Sequence, residues 1–174
     1  MRKELLKRVR EELNKLLPAR CGFFQRTAKY REAGRPDVYV WIAGPELAFF
    51  VYLLPNPKSY KDSFMIELGW SKGGPPPPDV WRNKENKEQL DRQWEGRIRL
   101  PNLWREQWRS ALEPWWELGE SLGAEDPEQF YSEGETRRRS ARIPAIVTDV
   151  VDRIERYAVP FFQRIARERG ISLP

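Results

Sequence analysis

Two apolar stripes at helical spacing, one near each end of the chain, bracket a run of short strand-like segments, and this most constrains the fold. Near the N-terminus Leu5, Leu6, Val9, Leu13, Leu16 and Leu17 fall on one face of a helix over 2–17. Glu4→Arg8 and Glu11→Lys15 support it as i,i+4 pairs, and Pro18 is expected to stop it. Near the C-terminus Ile143, Ile146, Val147, Val150, Val151, Ile154, Tyr157, Ala158, Phe161, Phe162 and Ile165 make a wider stripe. Pro144 suits a first helical turn there, and Pro160 predicts a kink or break between Arg156 and Pro160.

Between the stripes the period changes. Strands are expected over 26–31, 38–43, 47–54 and 63–70, separated by Ala33-Gly34-Arg35-Pro36, Gly44-Pro45 and Pro55-Asn56-Pro57. The connections are short, so the strands should pair as an antiparallel meander. Leu47–Leu54 is apolar on both sides and belongs in the centre with both faces covered. Arg97–Leu100 supplies a fifth strand, 103–118 reads as a helix interrupted by Pro114, and 119–139 as a polar loop. Two striped helices need an apolar layer to cover, and the meander provides it. The expected fold class is α+β: a two-layer single domain over 1–174, with an antiparallel sheet of four to five strands packed by an N-terminal and a long C-terminal helix. Gly73-Gly74 and the four prolines 75–78 form a stiff connector, part of an insertion at about 71–96.

Composition narrows the chemistry. The 174 residues contain no histidine, which removes the commonest general base and a leading metal ligand together. The single cysteine, Cys21, excludes an internal disulfide and a cysteine metal cluster and favours a reducing, cytoplasmic setting; a buried, inert thiol is expected. No Walker loop, dinucleotide-binding glycine pattern or zinc-finger spacing occurs, so no catalytic residue, metal or cofactor is assigned. No run nears the roughly 18 apolar residues of a membrane span, and no secretory leader is recognisable.

The leading helix before Gly22-Phe23, the meander ending in Ile66-Glu67-Leu68-Gly69, Arg97-Ile98-Arg99-Leu100 with Trp115-Trp116-Glu117-Leu118, and Tyr157-Ala158-Val159-Pro160-Phe161 together resemble an uncharacterised bacterial family, domain of unknown function 4304. The resemblance implies an α+β fold and carries no catalytic residue. Some small bacterial domains of this type act in toxin–immunity or phage-defence systems, which implies a partner-binding role.

Strand alternation divides the meander into two faces. Val38, Val40, Ile42, Phe49, Val51, Leu53, Phe64, Ile66 and Leu68 are expected to face the helices. Tyr39, Trp41, Phe50, Tyr52, Met65 and Glu67 fall on the other face. Rings with polar handles suit an exposed surface for a protein partner or a second copy of the chain, with Glu67, Arg97 and Arg99 at its edge. The alternative is that this face is covered, by the Trp-rich region 103–118 or by a dimer partner. Glu67 beside Arg97 or Arg99 reads as a cross-strand ion pair, or as the carboxylate of an enzyme. Asp37, Glu46, Asp62, Asp79, Asp91 and Glu95 offer no second acid at a defined distance.

Charge is uneven within a net +5. Residues 1–35 hold eleven Lys/Arg against four Glu, 113–135 hold eight acids and no base, and Arg137, Arg138, Arg139 and Arg142 follow. The basic helix and this arginine cluster make nucleic acid the alternative partner, unless acidic segment and cluster neutralise each other. Trp104-Arg105-Glu106-Gln107-Trp108-Arg109 interleaves rings and guanidinium groups, as single-strand binders do and as a buried Trp pair flanked by solvated arginines also would.

Overall fold

In the computed structural model, residues 1–22, 24–26, 38–56, 62–71, 94–104, 115–119 and 132–173 are described. Helix α1 (Lys3–Arg20) is followed by β1 (Gln25–Arg26), β2 (Val38–Gly44), β3 (Leu47–Pro55), β4 (Ser63–Ser71) and β5 (Trp94–Arg99). A 3-10 turn (Leu100–Trp104), β6 (Trp116–Glu117), helix α2 (Glu133–Arg153), a π turn (Ile154–Ala158) and helix α3 (Val159–Glu168) complete the order. The strands pair antiparallel as β1-β2-β3-β4-β5, with β6 on β4 beyond the end of β5. This is the α+β meander with helices at both ends. β3 is central and alternate residues on both its faces are buried, as its two-sided apolar sequence requires. The connector and insertion at about 71–96 fall almost wholly outside the described residues, as do the turn 33–36 and residues 105–114.

α1 buries Leu5, Val9, Leu13 and Leu17, while Leu6 and Leu16 flank them half-buried. Pro18 does not stop the helix: it lies within the last turn, and the Cys21 N–H still reaches the Leu17 carbonyl at 2.8 Å. A proline this near the terminus forfeits one hydrogen bond, to the carbonyl of Asn14, and the backbone need not break. On the surface Glu11 pairs with Lys7 and Lys15 with Glu12, in place of the Glu11–Lys15 pair.

α2 begins well before the apolar stripe. Ser132 is its N-cap, accepting from the Glu135 N–H at 3.2 Å, and Ser132-Glu133-Gly134-Glu135 has capping-box spacing. Residues 133–139, expected as part of a polar loop, are therefore helical, and Pro144 sits mid-helix, exposed, where its ring meets solvent. At Pro160 the helix does not break. The turn widens instead, with the Val159 N–H bonding the Ile154 carbonyl, and helix resumes. Buried positions step by four through this widening: Val150, Ile154, Ala158, Phe162, Ala166.

The faces of β2 differ from expectation. Val38, Val40 and Ile42 lie across from Tyr52, Phe50 and Ala48, so they share the second face. Tyr39 and Trp41 lie across from Val51 and Phe49 and enter the core beneath the helices. The cause is a bulge between Ile42 and Gly44. The Gly44↔Leu47 pairing that closes the two-residue turn would, carried straight on, put Ile42 opposite Phe49 and Val40 opposite Val51. One extra residue shifts the pairing by one and exchanges every side chain on β2 between faces. The exchange places large rings where the helices need filling. Trp41 packs on Phe49 with centroids 5.5 Å apart, and Phe49 stacks on Phe162 at 4.4 Å. The Tyr39 hydroxyl donates to Asn14 Oδ1 at 2.7 Å, tying β2 to α1.

Candidate functional site

None of the four rings expected on an open sheet surface is on one. Tyr39 and Trp41 are core residues, 0% and 4% exposed, and Phe50 and Tyr52 are 0% and 1% exposed on the opposite face. That face closes around its own cluster of Val38, Val40, Ala48, Phe50 and Tyr52, with Phe50 and Tyr52 ring-stacked at 6.0 Å. Only Ile42, at the hairpin end of this face, is a large apolar side chain standing exposed among the described residues. Glu67 lies opposite Arg99 in the β4–β5 register and reaches Arg97 Nη1 at 3.8 Å, forming a cross-strand ion pair.

The arginine cluster also divides. Arg137, Arg138 and Arg142 are exposed, whereas Arg139 turns inward. Arg139 Nη1 donates to Asp62 Oδ2 at 3.3 Å and its Nε to Glu135 Oε2 at 3.2 Å. Asp62 accepts further from the Arg2 backbone N–H at 2.9 Å and from Arg2 Nε at 2.8 Å. Two guanidinium groups thus meet two carboxylates where α1, β4 and α2 begin, and the charges cancel in place. Arg20 at the other end of α1 pairs with Asp152 and Glu155. Of the arginine cluster, Arg139 is neutralised within the fold, by Asp62 and by Glu135 of the acidic segment. Among the described residues no group of three His, Cys, Asp or Glu is placed to hold a metal ion, and no helix is long and apolar enough to cross a membrane. Cys21 is buried, and desolvation with the nearby Glu155 carboxylate pushes its thiol up to about 11, the signature of an unreactive cysteine.

The arrangement that does combine open rings with cationic groups surrounds the π turn. Along this part of the helix, Arg153, Tyr157 and Phe161 form one row at steps of four, and Arg156, Pro160 and Arg164 form the next. Each arginine covers a ring: Arg153 stands 4.9 Å over Trp104, Arg156 5.4 Å over Tyr157, and Arg164 5.4 Å over Phe161. The 3-10 turn, anchored by buried Leu100 and Pro101, carries Leu103 and Trp104 alongside, and Trp104 packs on Tyr157 at 4.9 Å. Phe161 meets the edge of Trp70 at 5.4 Å and 72°. Trp70 in turn lies across Gly96 on β5, where a Cβ would come within 2.1 Å of its ring. The sheet therefore fixes the floor of the arrangement.

Leu103, Arg156, Tyr157, Pro160, Phe161 and Arg164 enclose a cleft of about 270 Å³. Arg156, Pro160 and Arg164 are exposed and the two rings half-buried. No carboxylate stands among these lining residues. Arg153 differs from its neighbours: its Nε contacts both Asp149 oxygens, at 2.9 and 2.8 Å. Burial alone would raise the Asp149 carboxyl, but hydrogen bonds from Arg153 and from Trp116 Nε1 outweigh it and hold the group below its ordinary 3.8. Arg153 is thus a braced structural cation, while Arg156 and Arg164 form the open rim. Tyr157 and Phe161 count as core in an apolar stripe, which conceals this site in the sequence. The four-residue alternation of arginine with a ring or proline is the signal that marks it. Trp104 is the one member already conspicuous there, at the head of the ring-and-arginine segment whose residues 105–109 lie outside the described part.

Comparison with family models, with curated proteins and with solved structures found no match.

Proposed function

We propose that this chain is a non-enzymatic binding protein that captures an anionic partner in the cleft beside the π turn. The supporting observation is the pair of exposed guanidinium groups, Arg156 and Arg164, flanking half-buried Tyr157 and Phe161 with no carboxylate among the described lining residues. Half-buried rings braced by Trp104 and Trp70, with cations held above them, form a surface that loses little entropy on binding. A π turn in an otherwise α-helical run is frequent at functional sites. The aromatic sheet face is set aside as the surface because its rings are buried in the single chain. The sequence resemblance supports a bacterial setting of the toxin–immunity or defence kind, and the single, buried thiol supports a reducing, cytoplasmic compartment.

The test is titration of the isotopically labelled protein with a short heparin oligosaccharide, followed by NMR. Shift changes should centre on Arg156, Tyr157, Phe161 and Arg164 and vanish in the R156E/R164E double variant, with its unfolding midpoint unchanged. Changes centred instead on Arg137, Arg138 and Arg142, or none at all, would overturn the reading.

A further inference from the structure

We infer that the cleft's occupant is single-stranded nucleic acid, an inference that rests on the cleft being a binding site. Three features favour this partner. First, the cations and rings alternate. Phosphate needs a cation and an unstacked base needs a flat face, and the guanidinium groups of Arg156 and Arg164, layered on Tyr157 and Phe161, offer both in one place. Second, the dimensions fit. Arg156 and Arg164 are eight residues apart, about 12 Å of helix axis at 1.5 Å per residue. A few nucleotides of extended single strand cross that distance. Third, the cleft is small, about 270 Å³, the scale of a single flat group and not of a helix or a duplex. In a duplex the base faces are stacked on each other and only the edges are offered.

Charge around the cleft favours a polyanionic strand over a neutral partner: residues 153–169 carry five arginines against Glu155 and Glu168. Glu155 is already engaged by Arg20 on the α1 side.

The experiment uses the full chain and three probes at low salt: a short oligothymidylate, the same strand paired with its complement, and a heparin oligosaccharide of matched charge. The single strand should bind more tightly than the duplex and shift the resonances of Trp104, Tyr157 and Phe161. Its affinity should fall steeply as salt rises, because counterions are released from the strand. R156E/R164E should abolish binding. Tyr157→Leu, which keeps an apolar side chain but removes the π face, should weaken the single strand by about tenfold and heparin by much less. An unaltered unfolding midpoint shows that Tyr157→Leu remains folded, and if that variant does not fold, Phe161→Leu reads the same difference. Equal affinity for strand and duplex, or no effect of losing the ring, overturns the nucleic-acid inference while heparin binding in the cleft leaves the proposed function standing. Self-association that shields Tyr157 and Phe161 in concentrated protein without ligand overturns it in favour of a protein interface. If no probe perturbs the cleft, inference and proposed function fall together.

Discussion

Arg139 and Asp62, 77 residues apart in the chain, meet in a buried ion pair with Nη1 3.3 Å from Oδ2. Neither side chain is more than 3% exposed. Arg2 reaches the same carboxylate through both its backbone and its side chain, so one aspartate joins the start of α1, the start of β4 and the first turns of α2. Its backbone carbonyl also accepts from Leu118 at 2.9 Å, just beyond β6. Taking charge out of water is costly, and such a junction holds because every ion in it has a partner.

Asp62→Ala removes the acceptor that two buried guanidinium groups share. A loss of about 3–5 kcal/mol is expected from breaking one side of a buried pair. Urea unfolding followed by circular dichroism measures it, and a loss below ~1 kcal/mol would show that water replaces the carboxylate freely.

Ser132→Ala deletes the cap on α2. The expected cost is about 1 kcal/mol, with Ser132→Asp close to the parent, since either oxygen can accept the Glu135 N–H. Equal stability of all three proteins in chemical denaturation would show that the first turn frays regardless of its cap.

Trp41→Ala and Phe50→Ala probe opposite faces of the sheet. Both side chains are buried in the single chain, so each substitution should destabilise it by about 3–5 kcal/mol, as seen for large-to-small aromatic changes. Unfolding midpoints decide this. A near-neutral Phe50→Ala would mean the second face is open in solution.

Cys21 predicts a pH dependence. Desolvation holds its thiol protonated up to about 11, whereas the unfolded chain releases the proton near 9.0. The folded pKa is the higher one, so this group's contribution is fully present below pH 9 and is lost as pH rises towards 11. Subtracting the stability–pH curve of Cys21→Ala from that of the parent isolates the effect from tyrosine and lysine titration. The difference should shrink over that window, and a flat difference would contradict a desolvated thiol.

The fold was legible where burial follows a simple period. The stripe from Leu5 to Leu17 and the two-sided β3 announce themselves because every turn or alternate residue repeats the same apolar choice. Val38 and Tyr39 are equally compatible with either face, and only the bulge near Ala43 decides between them; such a shift depends on packing from Asn14 and Phe162, far away in sequence. The early start of α2 was obscured because its first inward-facing residues are Arg139 and Ser140, polar groups buried for partners that hydrophobicity cannot reveal. The cleft escaped for the converse reason: Tyr157 and Phe161 are apolar enough to count as interior, yet each leaves part of its ring at the surface.

Gly96 carries no charge, ring or hydrogen-bonding side chain, yet it limits what evolution can do around the cleft. Arg156 and Arg164 project into solvent and can be exchanged without disturbing the interior. At position 96 even one methyl group would collide with Trp70, displacing the ring against which Phe161 rests. Among descendants of this chain, the arginines should therefore drift as the ligand changes, while a glycine opposite a tryptophan persists as the inherited mark of the cleft.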